Sequence, residues 1–285
     1  MNMPIEWALE IIDEDEYWML MDLSKEDFSH YRTLILAPGV PLTHPEPHWS
    51  VKKAKAVGIP VIGDIELFCR ERAARAPHAP FIAITGTNGK STTTALIAHI
   101  LKEAGYDVAL GGNIGTAVLD LPPPDQSRVH VLECSSFQID LTPSLSPTVG
   151  VLLNITPDHL DRHGTMDNYA AVKERLVASA NLSIIGIDDE WCRAIAKRRR
   201  EAGRPLITVS LFESQKADYV IQGSKILKGS NSSLDAFVDL SSIATLRGTH
   251  NAQNAAAAIA AAAASPGSPD GGRPPDRASA AAPRP

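Results

Sequence analysis

The clearest chemical signal in the sequence is a glycine-rich turn with the letters TGTNGKST at residues 85–92. An apolar run at 81–85 precedes it, and a helical pattern with one apolar face follows it. Glycines permit a tight turn whose backbone N–H groups face an anion, and a helix start adds partial positive charge. Lys90 adds a charge for terminal phosphates and Ser91 a hydroxyl for Mg²⁺. We interpret the turn as a nucleotide-phosphate loop rather than a helix-capping turn with an incidental lysine. The general loop pattern would require glycine where Ile84 stands.

Polar groups follow two further predicted strands. Glu133 ends the strand predicted at 129–133, and the letters NITPDHLDRH at 154–163 overlap the end of the strand predicted at 148–155. Ligands collect at the carboxyl ends of strands in open α/β sheets, so Glu133 is placed to face the loop and hold Mg²⁺. Each segment alone is also typical of a solvated turn. The neighbouring phosphate loop favours a site.

Three other groups allow alternatives. His159 suits a metal or an acidic substrate, and its spacing from His163 is compatible with zinc. Zinc is disfavoured because the proline and the loop context predict no helical face for both rings. Lys173 lies on the more apolar side of a predicted helix, although composition alone favours an exposed lysine. The basic run at 197–200 is interpreted as a solvated cluster near a helix end.

The elements that must position these groups alternate between strand and helix. Before residue 77 we predict strands at 33–37 and 59–62 and helices at 50–57 and 64–76, with a proline-rich boundary at 77–80. Further on, the predicted strands are 81–85, 107–110, 129–133, 148–155, 182–187 and 206–209, and the predicted helices are 92–104, 167–179 and 190–202. Shorter β pieces with a turn at 223–224 occupy 218–240. This pattern predicts an α/β fold with a mostly parallel sheet and helices on its faces.

Composition excludes several classes of protein. The chain has 285 residues, 44% of them hydrophobic and 21% charged, which excludes wholesale disorder. With 27 Lys and Arg against 33 Asp and Glu, its net charge of −6 argues against a dedicated nucleic-acid binder. It has no bulky apolar run of about 18 residues and no signal-peptide pattern. Its three widely spaced cysteines indicate free thiols. We expect a soluble cytoplasmic protein.

Together these features resemble the Mur ligase family, the ATP-dependent amino-acid ligases of peptidoglycan assembly. The loop TGTNGKST is similar to that family's phosphate loop, which accounts for Ile84. Similar stretches are APGVP at 37–41, GGNIG at 111–115, ECSSFQ at 133–138, NITPDHLD at 154–161 and GTHNAQN at 248–254. The letters SSFQ favour the branch that joins D-glutamate to UDP-N-acetylmuramoyl-L-alanine.

The resemblance implies a domain organisation. Residues 1–78 would be a partial Rossmann-like domain that binds the UDP substrate, and 79–264 an incomplete central P-loop ATPase domain. A C-terminal Rossmann-like domain would be missing, so the chain would be truncated at both ends. Residues 265–285, rich in Pro, Ala, Gly and Arg, are expected to be a disordered tail, either natural or an out-of-frame translation. We therefore expect little ligase turnover.

The resemblance also implies a mechanism with ATP and Mg²⁺, in which an acyl phosphate of the substrate is attacked by D-glutamate. The implied catalytic residues are Lys90, Glu133, His159 and Lys173. The implied ATP-binding residues are Gly86, Thr87, Asn88, Gly89, Lys90, Ser91, Thr92, Asn251 and Asn254. The metal ligands would be Ser91, Glu133, His159 and Lys173, with Lys173 as a carbamate. Gly39, Asn113 and His159 would contact the UDP substrate.

Other functions stay open from the sequence. The chain could be a non-catalytic ATP-binding fragment or another amide ligase of the same family. It could also be an interaction protein that uses the tail. We expect a monomer that binds neither nucleic acid nor membrane.

Overall fold

A nine-stranded sheet organises most of the computed structural model, which describes residues 22–213, 216–230 and 233–265. The strands, in chain order, are β3 Phe81–Thr85, β4 Asp107–Gly112, β5 Arg128–Glu133, β6 Val149–Leu152, β7 Leu182–Gly186, β8 Leu206–Ser210, β9 Tyr219–Gln222, β10 Lys225–Ser230 and β11 Ser233–Asp239. Their spatial order is β11-β10-β9-β8-β7-β6-β3-β5-β4. Strands β3 to β9 pair in parallel, and β10 and β11 extend the sheet antiparallel.

The strand order places a crevice at the carboxyl end of β3. The chain leaves β3 for β4 and β5 on one side and then crosses to β6 on the other. Ligands bind at such reversals of strand order in open α/β sheets. All five residues of β3 are buried, as expected of a strand covered by helices on both faces.

Helices cover both faces of the sheet. On one face lie α3, Lys90–Glu103, and α8, Thr249–Ala263. The other face is covered by α2 Asp64–Arg75, α4 Ser136–Asp140, α6 Met166–Ser179 and α7 Glu190–Glu201. A single-turn helix, α5 Leu160–His163, precedes α6. Among the described residues, no helix is long and apolar enough to cross a membrane.

The part of the chain before residue 77 packs against the large sheet. It contains the parallel pair β1 Leu34–Ile35 and β2 Val61–Ile62, with α1, Trp49–Ala56, between them. Ile65, Phe68 and Cys69 of α2 belong to the same buried cluster as residues of β3 and β5. The predicted domain boundary at 78–79 stays a prediction.

The predicted α/β alternation, the mostly parallel sheet and the β pieces at 218–240 are confirmed. The predicted strand at 148–155 is too long, because β6 ends at Leu152 and the next residues turn toward the phosphate loop. The loop context inferred around Pro157 ends at His159, because α5 begins at Leu160. The predicted tail, apart from Ser265, lies outside the described residues.

Candidate functional site

The phosphate loop is a braced turn between β3 and α3. The Lys90 ammonium donates hydrogen bonds to the carbonyls of Gly86 and Thr87, at 3.1 and 2.9 Å. Asn154, just beyond β6, accepts the Asn88 N–H at 2.8 Å and donates to the Asn88 carbonyl at 3.1 Å. These contacts hold the loop beside the end of the adjacent strand.

Gly89 ends the loop in a conformation that favours glycine. Its φ is +84°, in the left-handed region, and it caps the N-terminus of α3. A Cβ at this position would lie 2.3 Å from the side-chain oxygen of Asn254 on α8. The loop and α8 are therefore in direct contact, and only glycine fits at this point.

A carboxylate and a hydroxyl face one another beside the loop. The Ser91 hydroxyl, in the first turn of α3, donates to Oε2 of Glu133 at 2.7 Å. The Asn113 amide donates to Oε1 of the same carboxylate at 3.0 Å. The predicted juxtaposition of the Glu133 carboxylate with Ser91 is therefore present. Because Glu133 is buried, the solvated-turn alternative is wrong. Within the described ranges, no three His, Cys, Asp or Glu side chains cluster closely enough to hold a metal alone.

Lys173 points into the sheet edge from α6 and is only 2% exposed. Its ammonium donates to the Gly86 carbonyl at 2.9 Å and to the Thr85 hydroxyl at 3.3 Å. Burial, followed by the nearby charge of Lys90, lowers the pKa of Lys173 to about 7. The expectation of an exposed lysine, drawn from composition, is wrong because this side of α6 packs onto the sheet.

Tyr169 links α6 to the phosphate loop, a role that the sequence analysis missed. Its hydroxyl lies 3.2 Å from the Thr87 hydroxyl, and its ring lies 4.8 Å below the Lys173 ammonium. Thr87 also accepts the Thr156 N–H at 3.0 Å. The signal available in the sequence was an aromatic residue, Tyr169, one helical turn before Lys173 on the same helix.

The two histidines of the 154–163 segment both contact the ring of Phe137. His159 is half-exposed, lies 3.5 Å from an Asp158 carboxylate oxygen, and has its ring 5.0 Å from that of Phe137. His163 is buried, stacks on Phe137 at 5.3 Å and shares a 2.9 Å hydrogen bond with Ser136. Burial, with Lys173 and His159 as further causes, lowers the pKa of His163 to about 4. The zinc pair stays disfavoured, because His159 precedes α5 with a φ of 51° and the two rings differ in burial and partners.

The segment that carries His159 also reaches the first part of the chain. The Arg162 guanidinium donates to the Gly39 carbonyl at 3.0 Å and lies 4.7 Å from the Phe137 ring. Gly39, a predicted substrate contact, is thus tied to the segment that contains His159.

The remaining predicted ATP contacts lie on α3 and α8. Thr92 is exposed in the first turn of α3. The Asn251 amide donates to the Arg247 carbonyl at 3.1 Å, one turn before Asn254. The structure thus brings Lys90, Ser91, Asn113, Glu133, Lys173 and Asn254 to the loop or its immediate partners. In the described part of the chain, His159, Gly39 and Asn251 contact groups other than the phosphate loop and these partners.

Comparison with known proteins gives consistent matches. Residues 84–262 match the family described as the Mur ligase middle domain. The UDP-N-acetylmuramoylalanine–D-glutamate ligase of Nitrobacter winogradskyi is 57% identical over 237 residues, which cover 82% of this chain and 51% of that protein. The ligase of the same name from Chelativorans sp. is 58% identical over 234 residues, with 82% and 50% covered. This chain therefore spans about half the length of the curated relatives it matches.

A solved structure supports the fold. The structure of UDP-N-acetylmuramoyl-L-alanyl-D-glutamate–2,6-diaminopimelate ligase superposes with a TM-score of 0.55 and 23% identity. The match covers 92% of this chain and 63% of that one. At this identity the likeness is one of fold alone.

Proposed function

The chain belongs to the Mur ligase family, and from that premise we propose that it carries the ATP-binding part of a D-glutamate ligase. The reaction would join D-glutamate to UDP-N-acetylmuramoyl-L-alanine in peptidoglycan biosynthesis. The observation that carries the proposal is the pairing of Ser91 with Glu133 beside a glycine-rich loop. A hydroxyl, a buried carboxylate and a lysine at one sheet edge suit phosphoryl transfer.

The proposed reaction has two steps. A carboxylate oxygen of UDP-N-acetylmuramoyl-L-alanine attacks the terminal phosphorus of ATP, and the bond from that phosphorus to the ADP oxygen breaks. The amine of D-glutamate then attacks the acyl carbon, phosphate leaves, and the amine loses a proton to form the amide. Lys90 and the loop N–H groups would bind the phosphate oxygens, because positioning and charge neutralisation limit this chemistry.

Mg²⁺ fits the group of oxygen donors at this edge. It usually binds through one or two carboxylates together with substrate phosphates and water, so a site with a single buried carboxylate and a hydroxyl is adequate. Ser91 and Glu133 would hold the ion, which when bound supplies positive charge to the phosphates. We propose His159 and Lys173 for a second ion, Lys173 as a carbamate. The burial of the lysine amine beside the loop supports the assignment of Lys173.

The ATP site is tested by calorimetry with ATP and Mg²⁺. We expect Lys90→Ala to weaken ATP binding at least tenfold, about 1.4 kcal/mol. Lys102→Ala is the matched control, because Lys102 is exposed at the far end of the same helix. Glu133→Gln should weaken binding when Mg²⁺ is present and have little effect in EDTA. Equal affinity of the Lys90→Ala and parent proteins would contradict the site.

The reaction is tested by incubating the chain with ATP, UDP-N-acetylmuramoyl-L-alanine and one amino acid at a time, with the products identified by mass spectrometry. We expect little turnover from this chain, and the proposal requires that any amide formed contain D-glutamate rather than L-glutamate or L-lysine. An amide formed with another amino acid would indicate a different ligase of the family. A complete absence of amide from a chain that binds ATP would favour the alternative of a non-catalytic nucleotide-binding protein.

We also propose a cytoplasmic location. The three cysteines are free thiols and all are buried, as is typical of proteins in a reducing compartment.

A further inference from the structure

Helix α8 contacts the phosphate loop but has little side-chain shape to define its position. Residues 255–264 are all alanine except Ile259. Most of these alanines are buried between α3 and the sheet. The alanine methyl groups all have the same size, so they would pack similarly after a small rotation or shift of the helix. Such uniform packing defines the position of α8 only weakly. Another contact must define where the helix lies.

Gln253 makes that contact. Its amide donates to Oδ2 of Asp188 at 2.6 Å, and the side chain is nearly buried. Asp188 lies two residues beyond the end of β7, and its Oδ1 accepts the Ser210 hydroxyl at 2.6 Å. The Leu211 N–H also donates to this carboxylate, at 3.2 and 3.1 Å from its two oxygens. The acceptor is therefore fixed to two strand ends, and a hydrogen bond to an ionised group is stronger than a neutral one.

The next residue on α8 is the one that contacts the loop. Asn254 is nearly buried, and its side-chain oxygen lies 2.3 Å from where a Cβ of Gly89 would be. Consecutive helical residues cannot move independently, so a rotation that breaks the Gln253 bond also removes Asn254 from Gly89. The bond to Asp188 thus sets the position of a side chain at the phosphate loop.

We propose that Gln253 and Asp188 are positioning residues for the nucleotide site and act through Asn254. The inference rests on the proposed function, because it assumes that ATP binds at this loop. Gln253 itself lies at the strand ends of β7 and β8 and need not touch the nucleotide.

A double-mutant cycle tests the proposal, with ATP affinity measured by calorimetry and stability by urea unfolding. Gln253→Met keeps the length of the side chain and removes the donor. We expect it to weaken ATP binding about five- to tenfold in the parent, and less than twofold when Asn254→Ala is already present. A merely structural role would reduce affinity by the same factor in both backgrounds, which would overturn the proposal.

An exchange of the two groups gives a second, independent test. Gln253→Glu alone places two carboxylates together and should lower ATP affinity more than tenfold. Adding Asp188→Asn restores a donor and an acceptor, because the amide introduced at position 188 would donate to the carboxylate introduced at position 253. The double variant should bind ATP within threefold of the parent. Failure of this rescue in a folded double variant would overturn the positioning role while the ATP site stands. Absence of ATP binding by the parent chain would overturn both proposals.

Discussion

Two ionisable side chains next to the phosphate loop lie in surroundings that disfavour their charged forms. Lys173 and His163 are both buried, and burial is the main cause that lowers the pKa of each. Each charge also acts on its neighbours, since Lys173 contributes to the lowered pKa of His163. The site therefore keeps His163 neutral at pH 7, and a neutral imidazole can share its hydrogen bond with Ser136.

His163 is expected to make stability depend on pH below neutrality. Its pKa is about 4 in the folded chain and 6.5 for an unperturbed imidazole, so the unfolded chain binds more protons between these values. Stability therefore falls as pH decreases through that window, by about 2 kcal/mol between pH 7.5 and pH 5 for this residue. His163→Gln removes this dependence. From pH 7.5 to pH 5, the difference in free energy of unfolding between variant and parent should therefore change by about 2 kcal/mol in favour of the variant. Urea unfolding of both proteins at the two pH values measures this difference. The same difference at both pH values would contradict the prediction.

Residue types and spacing predicted which side chains lie together better than they predicted how deeply those side chains are buried. Glu133 and Ser91 were correctly paired, because both follow from the rule that strand ends and helix starts meet at one edge. Lys173 was expected at the surface on composition, since an average lysine is exposed. The more apolar side of the predicted helix was a local signal for burial, but the depth of burial depends on how α6 lies across the sheet, which no local pattern encodes.

At the scale of elements, one buried arginine joins the end of α6 to the strands beside it. Arg199 on α7 is 6% exposed and donates to the carbonyls of Ala178, Ala180, Asn181 and Pro205. The expected solvated cluster at 197–200 is therefore wrong for this member. Buried carbonyls that lose a charged donor cost free energy because water cannot replace it.

Arg199→Met should lower the free energy of unfolding by about 3 kcal/mol. The methionine retains much of the apolar stem, so the loss reports mainly the hydrogen bonds. Arg200→Ala is the matched control, since Arg200 is the exposed neighbour on the same helix, and we expect a change within about 0.5 kcal/mol. Urea unfolding measures both variants. Equal effects of the two substitutions would show that Arg199 contributes no more than a surface residue.

The elements missed by sequence analysis are short. Helices α4 and α5 span five and four residues, too few for an apolar period to appear. A capping signal was present for α4, because Ser135 and Gln138 form a capping box. Helix α5 has no such signal, and its start at His159 adopts the left-handed region with φ of 51°.

At the scale of the whole molecule, the first part of the chain and the large sheet share one core. Phe68 on α2 is 3% exposed, with its ring 5.1 Å from Phe81 and 4.9 Å from His130. Hydrogen bonds join the same parts: the Gln138 amide donates to Asp64 at 3.0 Å. The Ser144 N–H and hydroxyl donate to buried Glu66 at 2.9 and 2.8 Å. The boundary predicted from the proline-rich 77–80 lies between these parts and stays a prediction, since proline marks a break in the chain and gives no information on packing.

The shared core predicts that the two parts unfold together. Tryptophan fluorescence can follow each part, since Trp49 lies on α1 and Trp191 on α7. The chain has four tryptophans, so three are replaced in each variant and only Trp49 or only Trp191 remains. The urea transitions of these two variants should coincide. Phe68→Ala should shift both transitions equally, by about 3–5 kcal/mol, because the cavity lies in the cluster that both parts share. A shift of the Trp49 transition alone would mean that the first part unfolds independently, and that the contacts of Asp64, Glu66 and Phe68 do not couple it to the large sheet.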